Sequence, residues 1–287
     1  MSPAHDRFAG DWLALREPAD HVARAAGPTA AAAQWLAAHT CGTRHIVDLG
    51  CGRGSNLRYL APRLPGPQHW RLVDHDAGLL ARALASASEL RDADGRPVAL
   101  EPRARDLRGD CDSLVGDARL VTAAALFDLV DRGWVDRLVE VCAQRHAAVL
   151  FTASVDGRIM FEPTEDRPVD DSDDAFVLEL LSAHQHRDKG FGGALGPDAP
   201  AALIDALETA GYTVLAEPGD WRLDRAGAPL AAALLAGWRD AAIEQAPDEA
   251  GRLTAWARRR TAEIARGQTQ LTVGHRDLFA APATAPA

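Results

Sequence analysis

Three glycines at alternate positions, Gly50, Gly52 and Gly54, follow an apolar run that ends in Asp48 and Leu49. Glycine has no Cβ, so the backbone at these positions can adopt a positive φ and can approach a ligand closely. A carboxylate two residues before the first glycine is placed to accept hydrogen bonds from a cationic group. The run therefore predicts a ligand-binding loop between a strand and a helix.

Ser55 bears on which ligand the loop binds. The dinucleotide-binding pattern G-x-G-x-x-G/A would require glycine or alanine at this position. Together with the acidic Asp48, the serine points away from a dinucleotide and toward a nucleoside that carries an amino acid. A second carboxylate, Asp74, ends the next predicted strand, where it could accept hydrogen bonds from the ribose hydroxyls of either ligand. Asp76 competes for this role, because sequence alone places a strand end only to within about two residues.

The stretch Asp48–Gly54 resembles motif I of the class I S-adenosylmethionine-dependent methyltransferases. The resemblance covers residues 40–155 and implies S-adenosylmethionine as the cofactor. A carboxylate at Asp106 would suit the adenine amino group, and Leu107 would offer an apolar wall. The cofactor contacts that the resemblance implies are Asp48 near the methionine moiety, Gly50, Cys51, Gly52 and Gly54 beneath it, Asp74 at the ribose with His75 next to it, Asp106 and Leu107 at the adenine, and Thr122 near the sulfonium.

Strand and helix patterns alternate along the chain, which predicts an α/β fold with a doubly wound, mostly parallel sheet covered on both faces. The resemblance implies a Rossmann-like methyltransferase fold whose seventh strand inserts antiparallel between the fifth and the sixth. The seven predicted strands are His45–Leu49, Trp70–Val73, Val98–Arg105, Leu120–Ala123, Ala147–Ala153, Tyr212–Ala216 and Leu271–Leu278.

The elements around the sheet predict the domain organisation. Residues 1–40 are expected to form an N-terminal helical cap, with a break at Gly27 and Pro28, and residues 41–280 the methyltransferase domain. Two insertions, 156–199 and 225–268, should reach over the carboxyl edge of the sheet and form the acceptor site, as a lid or a homodimer contact. The tail 281–287 contains only alanine, proline and threonine and is expected to be disordered.

Candidates for acceptor binding lie in the cap, after the fourth strand and in the first insertion. Arg16, Asp20 and Arg24 share one helix face, where an ion-pair ladder is favoured. The alternative is that the N-terminal helix closes the pocket and one of these arginines meets a carboxylate of the substrate or the cofactor. The other candidates are Asp128, His184 and His186. A packed or capping histidine is favoured over a metal ligand at 184, and no metal site is expected. The sequence identifies no catalytic residue.

Composition limits the partners. The formal net charge of −10 disfavours sequence-independent binding to nucleic acid, which needs a basic surface. The four cysteines show no zinc-ligand spacing. The longest apolar stretch, Pro229–Trp238, is too short to span a bilayer, so no membrane association and a cytoplasmic location are expected.

These observations favour an S-adenosylmethionine-dependent methyltransferase that acts on a small-molecule acceptor. Two alternatives remain open at this point. One is an NAD(P)-dependent oxidoreductase, because Asp74 suits either cofactor; the other is a non-catalytic scaffold protein with the same fold. The identity of the acceptor and the atom methylated do not follow from the sequence.

Overall fold

The computed structural model describes residues 3–164, 172–185 and 193–283. Within them the chain forms one mixed sheet with α-helices on both of its faces. The strands are β1 (Arg44–Leu49), β2 (Gln68–Asp74), β3 (Ala99–Ala104), β4 (Leu120–Ala124), β5 (Ala148–Pro163), β6 (Tyr212–Pro218), β7 (Trp221–Leu223) and β8 (Thr269–Pro282). The helices are α1 (Pro3–Ala23), α2 (Ala26–His39), α3 (Ser55–Leu60), α4 (Ala77–Ser86), α5 (Cys111–Val115), α6 (Arg132–Gln144), α7 (Asp174–Gln185), α8 (Ala199–Thr209), α9 (Ala228–Gln245) and α10 (Ala250–Ala265).

The strand order is β3-β2-β1-β4-β5-β8-β6, and β7 pairs with β8 beside this path. Strands β1 to β5 are parallel, and β8 runs antiparallel to both β5 and β6. The expected doubly wound sheet with an antiparallel strand between the fifth and sixth is therefore confirmed. The sequence prediction missed β7, which has only three residues and so shows no usable periodicity.

The sheet is buried on both faces, which explains the near-continuous apolar runs of its strands. Val47, Val121 and Val149 pack with α5, α6 and α8 on one face. Ile46 and Leu150 lie on the opposite face, against α2, α3 and α4. Because the parallel strands all end at one edge, this packing brings their carboxyl ends together.

Strands β5 and β8 continue well past that edge. Their pairing runs from Val149 and Ala280 out to Pro163 and Thr269, with irregularities on the way. The outer part carries α7, α9, α10 and β7 around a separate hydrophobic core that includes Trp256. We call the outer part of β5 and β8, together with α7, α9, α10 and β7, the extension. Part of the insertion expected at 156–199 is therefore a prolonged strand, whereas the insertion at 225–268 is helical as predicted.

Three predicted boundaries were wrong. Helix α1 ends at Ala23, before the break expected at Gly27 and Pro28, because Pro28 falls in the first turn of α2, where its missing N–H costs nothing. Strand β8 reaches Pro282, so the first two residues of the tail expected at 281–287 belong to a strand; residues 284–287 lie outside the described residues. Strand β5 extends far beyond Ala153.

Candidate functional site

The glycine loop joins β1 to α3 and is held by the end of β2. Gly50, Gly52 and Gly54 have φ values of +64°, +51° and +78°. The Gly52 amide donates to Asp74 Oδ2 at 2.9 Å, and the Cys51 amide donates to a backbone carbonyl of β2 at 3.0 Å. The loop is therefore fixed in a conformation that glycine adopts without strain.

Apolar side chains line the loop at Gly50. A Cβ built on Gly50 would lie 3.5 Å from Leu126 and 3.7 Å from Leu107, which is ordinary van der Waals contact. The Trp134 indole N–H donates to the Leu107 carbonyl at 2.7 Å and fixes this segment. The structure thus places Leu107, the predicted apolar wall, beside the first glycine.

Asp48 ends β1 in a fully buried position beside the loop. Its Oδ1 accepts hydrogen bonds from Asn56 Nδ2 at 2.7 Å and from the Thr122 hydroxyl at 2.8 Å. Its Oδ2 is buried and has no hydrogen-bond partner within the described residues. Burial raises the pKa of Asp48 to about 6, although the two hydrogen bonds act in the opposite direction. A carboxylate with a spare, desolvated oxygen is suited to a cationic group of a ligand.

Thr122 and Cys51 are both buried beside the glycine loop. Thr122 is fully buried on β4 opposite Asp48, and its hydroxyl donates to Asp48 Oδ1 at 2.8 Å. Its predicted position near the sulfonium stays a prediction. The Cys51 thiol is buried, and burial raises its pKa, so it is a neutral thiol at physiological pH. Cys51 is therefore not a thiolate nucleophile.

The carboxylates at the end of β2 have different tasks. Asp76 Oδ1 accepts from the amides of Gly78 and Leu79 and caps α4. Asp74 instead accepts from the Gly52 amide, as described above, and its Oδ1 accepts from the Asp76 amide at 2.9 Å. His75 follows with an exposed ring whose Nδ1 lies 3.4 Å from Asp74 Oδ1. Of the two competing aspartates, Asp74 is the one in contact with the glycine loop.

Asp106 lies just beyond β3, with a half-exposed carboxylate that pairs with Arg108. Arg108 Nε donates to both carboxylate oxygens at 3.0 Å. This pairing lowers the pKa of Asp106 to about 2. Asp106 is therefore a charged acceptor at the same sheet edge as Asp74, with Arg108 as its present partner.

Helix α1 lies across the glycine loop. Leu13 Cδ1 is 3.3 Å from the position that a Cβ on Gly52 would take. Glu17 accepts two hydrogen bonds from Arg58 of α3, at 2.7 Å and 2.6 Å. His21 Nε2 lies 3.1 Å from both the hydroxyl and the carbonyl oxygen of Ser55. The predicted N-terminal cap thus covers the loop through contacts spread over α1.

Arg16 and Arg24, predicted to share a helix face, have different surroundings. Arg16 pairs with Asp20 at 2.9 Å and lies over the Trp221 ring, which confirms an ion pair at this position. Arg24 falls in the connection between α1 and α2 and leaves the ladder. Its Nη2 donates to Asn56 Oδ1 at 2.7 Å, so it joins the cluster around Asp48.

The remaining acceptor candidates are not brought together. Asp128 is half-buried in a single helical turn, Phe127–Leu129, that follows β4. His184 lies in the last turn of α7, where its Nε2 is 3.4 Å from Glu244 of α9. The pairing of His184 with α9 agrees with a packing role. His186 lies outside the described residues.

Sequence reasoning missed three polar residues of the site, namely Asn56, Thr152 and Asp277. Arg24 Nη1 donates to the Thr152 hydroxyl at the end of the parallel part of β5. Asp277 accepts from the backbone amides of Ala25 at 3.0 Å and Ala153 at 2.8 Å. The available signal for Asp277 was a single acidic residue inside the predicted strand Leu271–Leu278.

The described part of the chain contains no group of three or more His, Cys, Asp or Glu residues placed to hold a metal ion. Across the same residues, no helix combines the length and the apolar character that crossing a membrane requires.

The sequence matches no family model and no curated protein. Several solved structures resemble the chain. The cyclopropane synthase MmaA2 from Mycobacterium tuberculosis is 11% identical, with 85% of this chain and 79% of that chain covered and a TM-score of 0.44. A S-adenosylmethionine-dependent methyltransferase from Geobacter sulfurreducens, in complex with S-adenosyl-L-homocysteine, is 18% identical, with 91% and 92% covered and a TM-score of 0.43. YjhP from E. coli is 17% identical, with 95% and 98% covered and a TM-score of 0.43.

At these identities and TM-scores the likenesses do not by themselves assign a function. The fold follows from the chain's own strand order, in which an antiparallel strand lies second from one edge. This is the fold of the class I S-adenosylmethionine-dependent methyltransferases.

Proposed function

We propose that the protein is an S-adenosylmethionine-dependent methyltransferase that acts on a small-molecule acceptor. The observation that carries the proposal is the buried Asp48 carboxylate, whose Oδ2 has no partner within the described residues, directly beside a glycine loop held by Asp74. A cationic amino-acid group would pair with such an oxygen, which the pyrophosphate of a dinucleotide would not.

The residues present fit this cofactor. Asp48 would take the ammonium group and the glycine loop would lie beneath the methionine chain. Asp74 has accepting capacity left for ribose hydroxyls, because each carboxylate oxygen can accept more than one hydrogen bond. Leu107 and Leu126 supply an apolar surface for a purine, and Asp106 supplies an acceptor for its amino group.

Backbone strain just after β4 and at the end of the parallel part of β5 supports an acceptor site there. Ala125 and Ala153 have φ values of 52° and 53°, in the left-handed region that costs a non-glycine residue about 1–2 kcal/mol. The Ala125 amide donates to the Thr152 carbonyl at 2.9 Å, so the two strained segments are adjacent. Such strain concentrates at functional sites. The alanine side chains leave space for an acceptor, which α1 and the extension would enclose.

The chemical demands on the protein are modest. The cofactor supplies a methyl group on a sulfonium that is already a good leaving group. The chain's own residues would bind and orient the two reactants and exclude water. A general base is required only for an acceptor that is a poor nucleophile at neutral pH, and we assign none.

Calorimetric titration with S-adenosylhomocysteine and NAD tests the cofactor. We expect the wild-type protein to bind S-adenosylhomocysteine and Asp48→Ala to lose that binding. Asp117→Ala is the matched control, because Asp117 is an exposed aspartate that pairs with Arg71 at 2.8 Å. Binding of NAD alone would establish the oxidoreductase alternative, and binding of neither ligand would establish the scaffold alternative.

Transfer of labelled methyl groups tests the acceptor class. We expect incorporation into a small molecule from a metabolite panel and none into DNA or RNA. Incorporation into nucleic acid alone would contradict the proposal. A homodimer contact through the extension stays a prediction, and sedimentation velocity would check it.

A further inference from the structure

Arg24 connects three parts of the fold: the α1–α2 connection, α3 and β5. It lies in the short connection between α1 and α2, and its guanidinium bridges the first turn of α3, at Asn56, and the end of the parallel part of β5, at Thr152. Asn56 in turn donates to Asp48 at 2.7 Å. The guanidinium is thus one hydrogen-bonded neighbour away from the carboxylate beside the glycine loop.

The charge of Arg24 has no direct counter-charge. Both of its hydrogen-bond acceptors are neutral oxygens, and within the described residues no carboxylate lies within ion-pair distance of it. Its Nε is shielded from solvent and has no hydrogen-bond partner in that part of the chain. Desolvation lowers the pKa of Arg24, which means that the surroundings disfavour its charge. The guanidinium lies over the Tyr59 ring, 5.0 Å from its centroid, which offsets part of the cost of burying the charge. An anion supplied by a ligand would offset more of that cost.

The nearby acids are already engaged. Asp277 accepts from two backbone amides, which hold the α1–α2 connection and the turn at Ala153. Asp48 uses its Oδ1 for Asn56 and Thr122. Both acids stabilise the positive charge from a distance, as does Asp20, which pairs with Arg16. None of the three accepts from Nε, which is left for a ligand carboxylate beside the Nη2 that donates to Asn56.

The position of Arg24 also links it to the cap. Leu13, Glu17 and His21 seat α1 on the loop and on α3, and Arg24 is the residue that follows α1. Inserting Arg24 into the cluster and seating α1 over the glycine loop are therefore parts of one arrangement of the chain.

We propose that Arg24 binds the carboxylate of a ligand in this site and that the bound carboxylate fastens α1 over the glycine loop. The inference rests on the proposed function. Two ligands could supply the carboxylate, namely the amino-acid end of the cofactor and the methyl acceptor. In either case Arg24 is the group that binds the carboxylate, and α1 is the helix that this binding holds over the glycine loop.

The first arm of the test compares two ligands by calorimetry. S-adenosylhomocysteine carries the carboxylate, and S-adenosyl-3-thiopropylamine lacks it. We expect wild-type protein to bind S-adenosylhomocysteine about ten- to a hundredfold more tightly, the range for a charged hydrogen-bonded pair. Arg24→Met should lose this preference and leave the affinity for the amine within about twofold. Arg16→Met, which removes an arginine of α1 that is already paired with Asp20, should keep the preference.

Amide hydrogen exchange gives a readout independent of affinity. S-adenosylhomocysteine should slow exchange across residues 11–23 of the wild-type protein, and the amine should not. Because Arg24→Met could disturb folding, circular dichroism and thermal melting are measured first, and Arg24→Lys, which retains the charge, should keep part of the preference. The two-ligand comparison on wild-type protein needs no variant.

The second arm determines whether the carboxylate belongs to the cofactor or to the methyl acceptor. If the wild-type protein binds both nucleosides equally well, acetate, hexanoate and benzoate are added to protein saturated with S-adenosylhomocysteine. A thermal stabilisation by one of these anions that Arg24→Met abolishes would assign the carboxylate to the acceptor. No preference in the first arm and no stabilisation in the second would overturn the inference, as would equal losses of both nucleosides in Arg24→Met. Failure of the wild-type protein to bind S-adenosylhomocysteine at all would instead overturn the proposed function, and this inference with it.

Discussion

Replacing Asp48 with asparagine should stabilise the protein at neutral pH while removing its ability to bind a cationic ligand. Burial raises the pKa of Asp48 from 3.8 to about 6, so the folded state holds a proton there that the unfolded state releases. Ionisation of Asp48 therefore costs stability as pH rises from about 4 to about 6, and the cost is fully present above pH 6. At about 1.4 kcal/mol per pKa unit, the cost approaches 3 kcal/mol.

The structure also limits how much of this lost stability the Asp48→Asn variant recovers. An asparagine oxygen can still accept from Asn56 and Thr122, as Oδ1 does now. Its amide nitrogen would replace the unpartnered Oδ2 and would be a buried donor, which costs about 1–3 kcal/mol. We therefore expect Asp48→Asn to be more stable than the wild type by up to about 2 kcal/mol at pH 8.

The difference in the free energy of unfolding between Asp48→Asn and wild type is more informative than the pH dependence of the wild type alone. This is because the titration of His275 changes stability in the opposite sense. Burial lowers the pKa of His275 to about 4, so its contribution to stability is lost as pH falls from about 6.5 to 4. The assay is urea unfolding of wild type and Asp48→Asn between pH 4 and 8, since the His275 effect cancels between them. The free energy of unfolding of the variant minus that of the wild type should rise by about 2–3 kcal/mol over this range.

A difference in the free energy of unfolding that does not change between pH 4 and 8 would refute this reasoning. A variant less stable than wild type at pH 8 would refute it as well. Calorimetry with S-adenosylhomocysteine completes the experiment, because Asp48→Asn should lose binding despite its greater stability. Asp92→Asn is the matched control: Asp92 is a buried aspartate that accepts turn amides after α4. It should leave ligand affinity unchanged.

Three further predictions concern the loop, the cap and the sheet edge. Gly52→Ala should destabilise the protein by about 1–2 kcal/mol and weaken S-adenosylhomocysteine binding, because φ is +51° and the new Cβ would press on Leu13; urea unfolding and calorimetry check this, and unchanged binding would contradict it. Glu17→Gln should speed amide exchange in α1 while changing global stability by no more than about 1 kcal/mol, since its pair with Arg58 is partly exposed; unaltered α1 exchange would show that this ion pair does not seat the cap. Asp106→Asn should weaken S-adenosylhomocysteine binding by the same factor at every pH from 4 to 8, because Arg108 lowers the pKa of Asp106 to about 2 and keeps it ionised throughout; a pH-dependent ratio would contradict the assignment.

The parts of the site that the sequence predicted are those encoded locally. Asp48 and the glycines occur within one short stretch, and Asp74 ends the strand that pairs beside it. Asp76 could be separated from Asp74 only in the structure, where one caps a helix and the other holds the loop.

The residues that sequence reasoning missed depend on contacts between distant segments. Asp277 is 252 positions from Ala25, to whose amide it is bonded, and Thr152 is 128 positions from Arg24. No local pattern brings such pairs together. Arg16 and Arg24 show the same limit: helical spacing puts both on one face, but α1 ends at Ala23, so only Arg16 stays in the ladder.

Strand β8 has a consequence for how the chain is made. It follows every other described element in chain order, yet it lies between β5 and β6 and also pairs with β7. Until residues 269–282 leave the ribosome, both β5 and β6 present an unpaired edge, and the outer part of β5 has no partner at all. Open edges of this kind recruit other chains, so the nascent protein is more exposed to aggregation before β8 is made than after it. Chaperone protection during that interval should therefore matter more for this protein than for one whose central strands are made first.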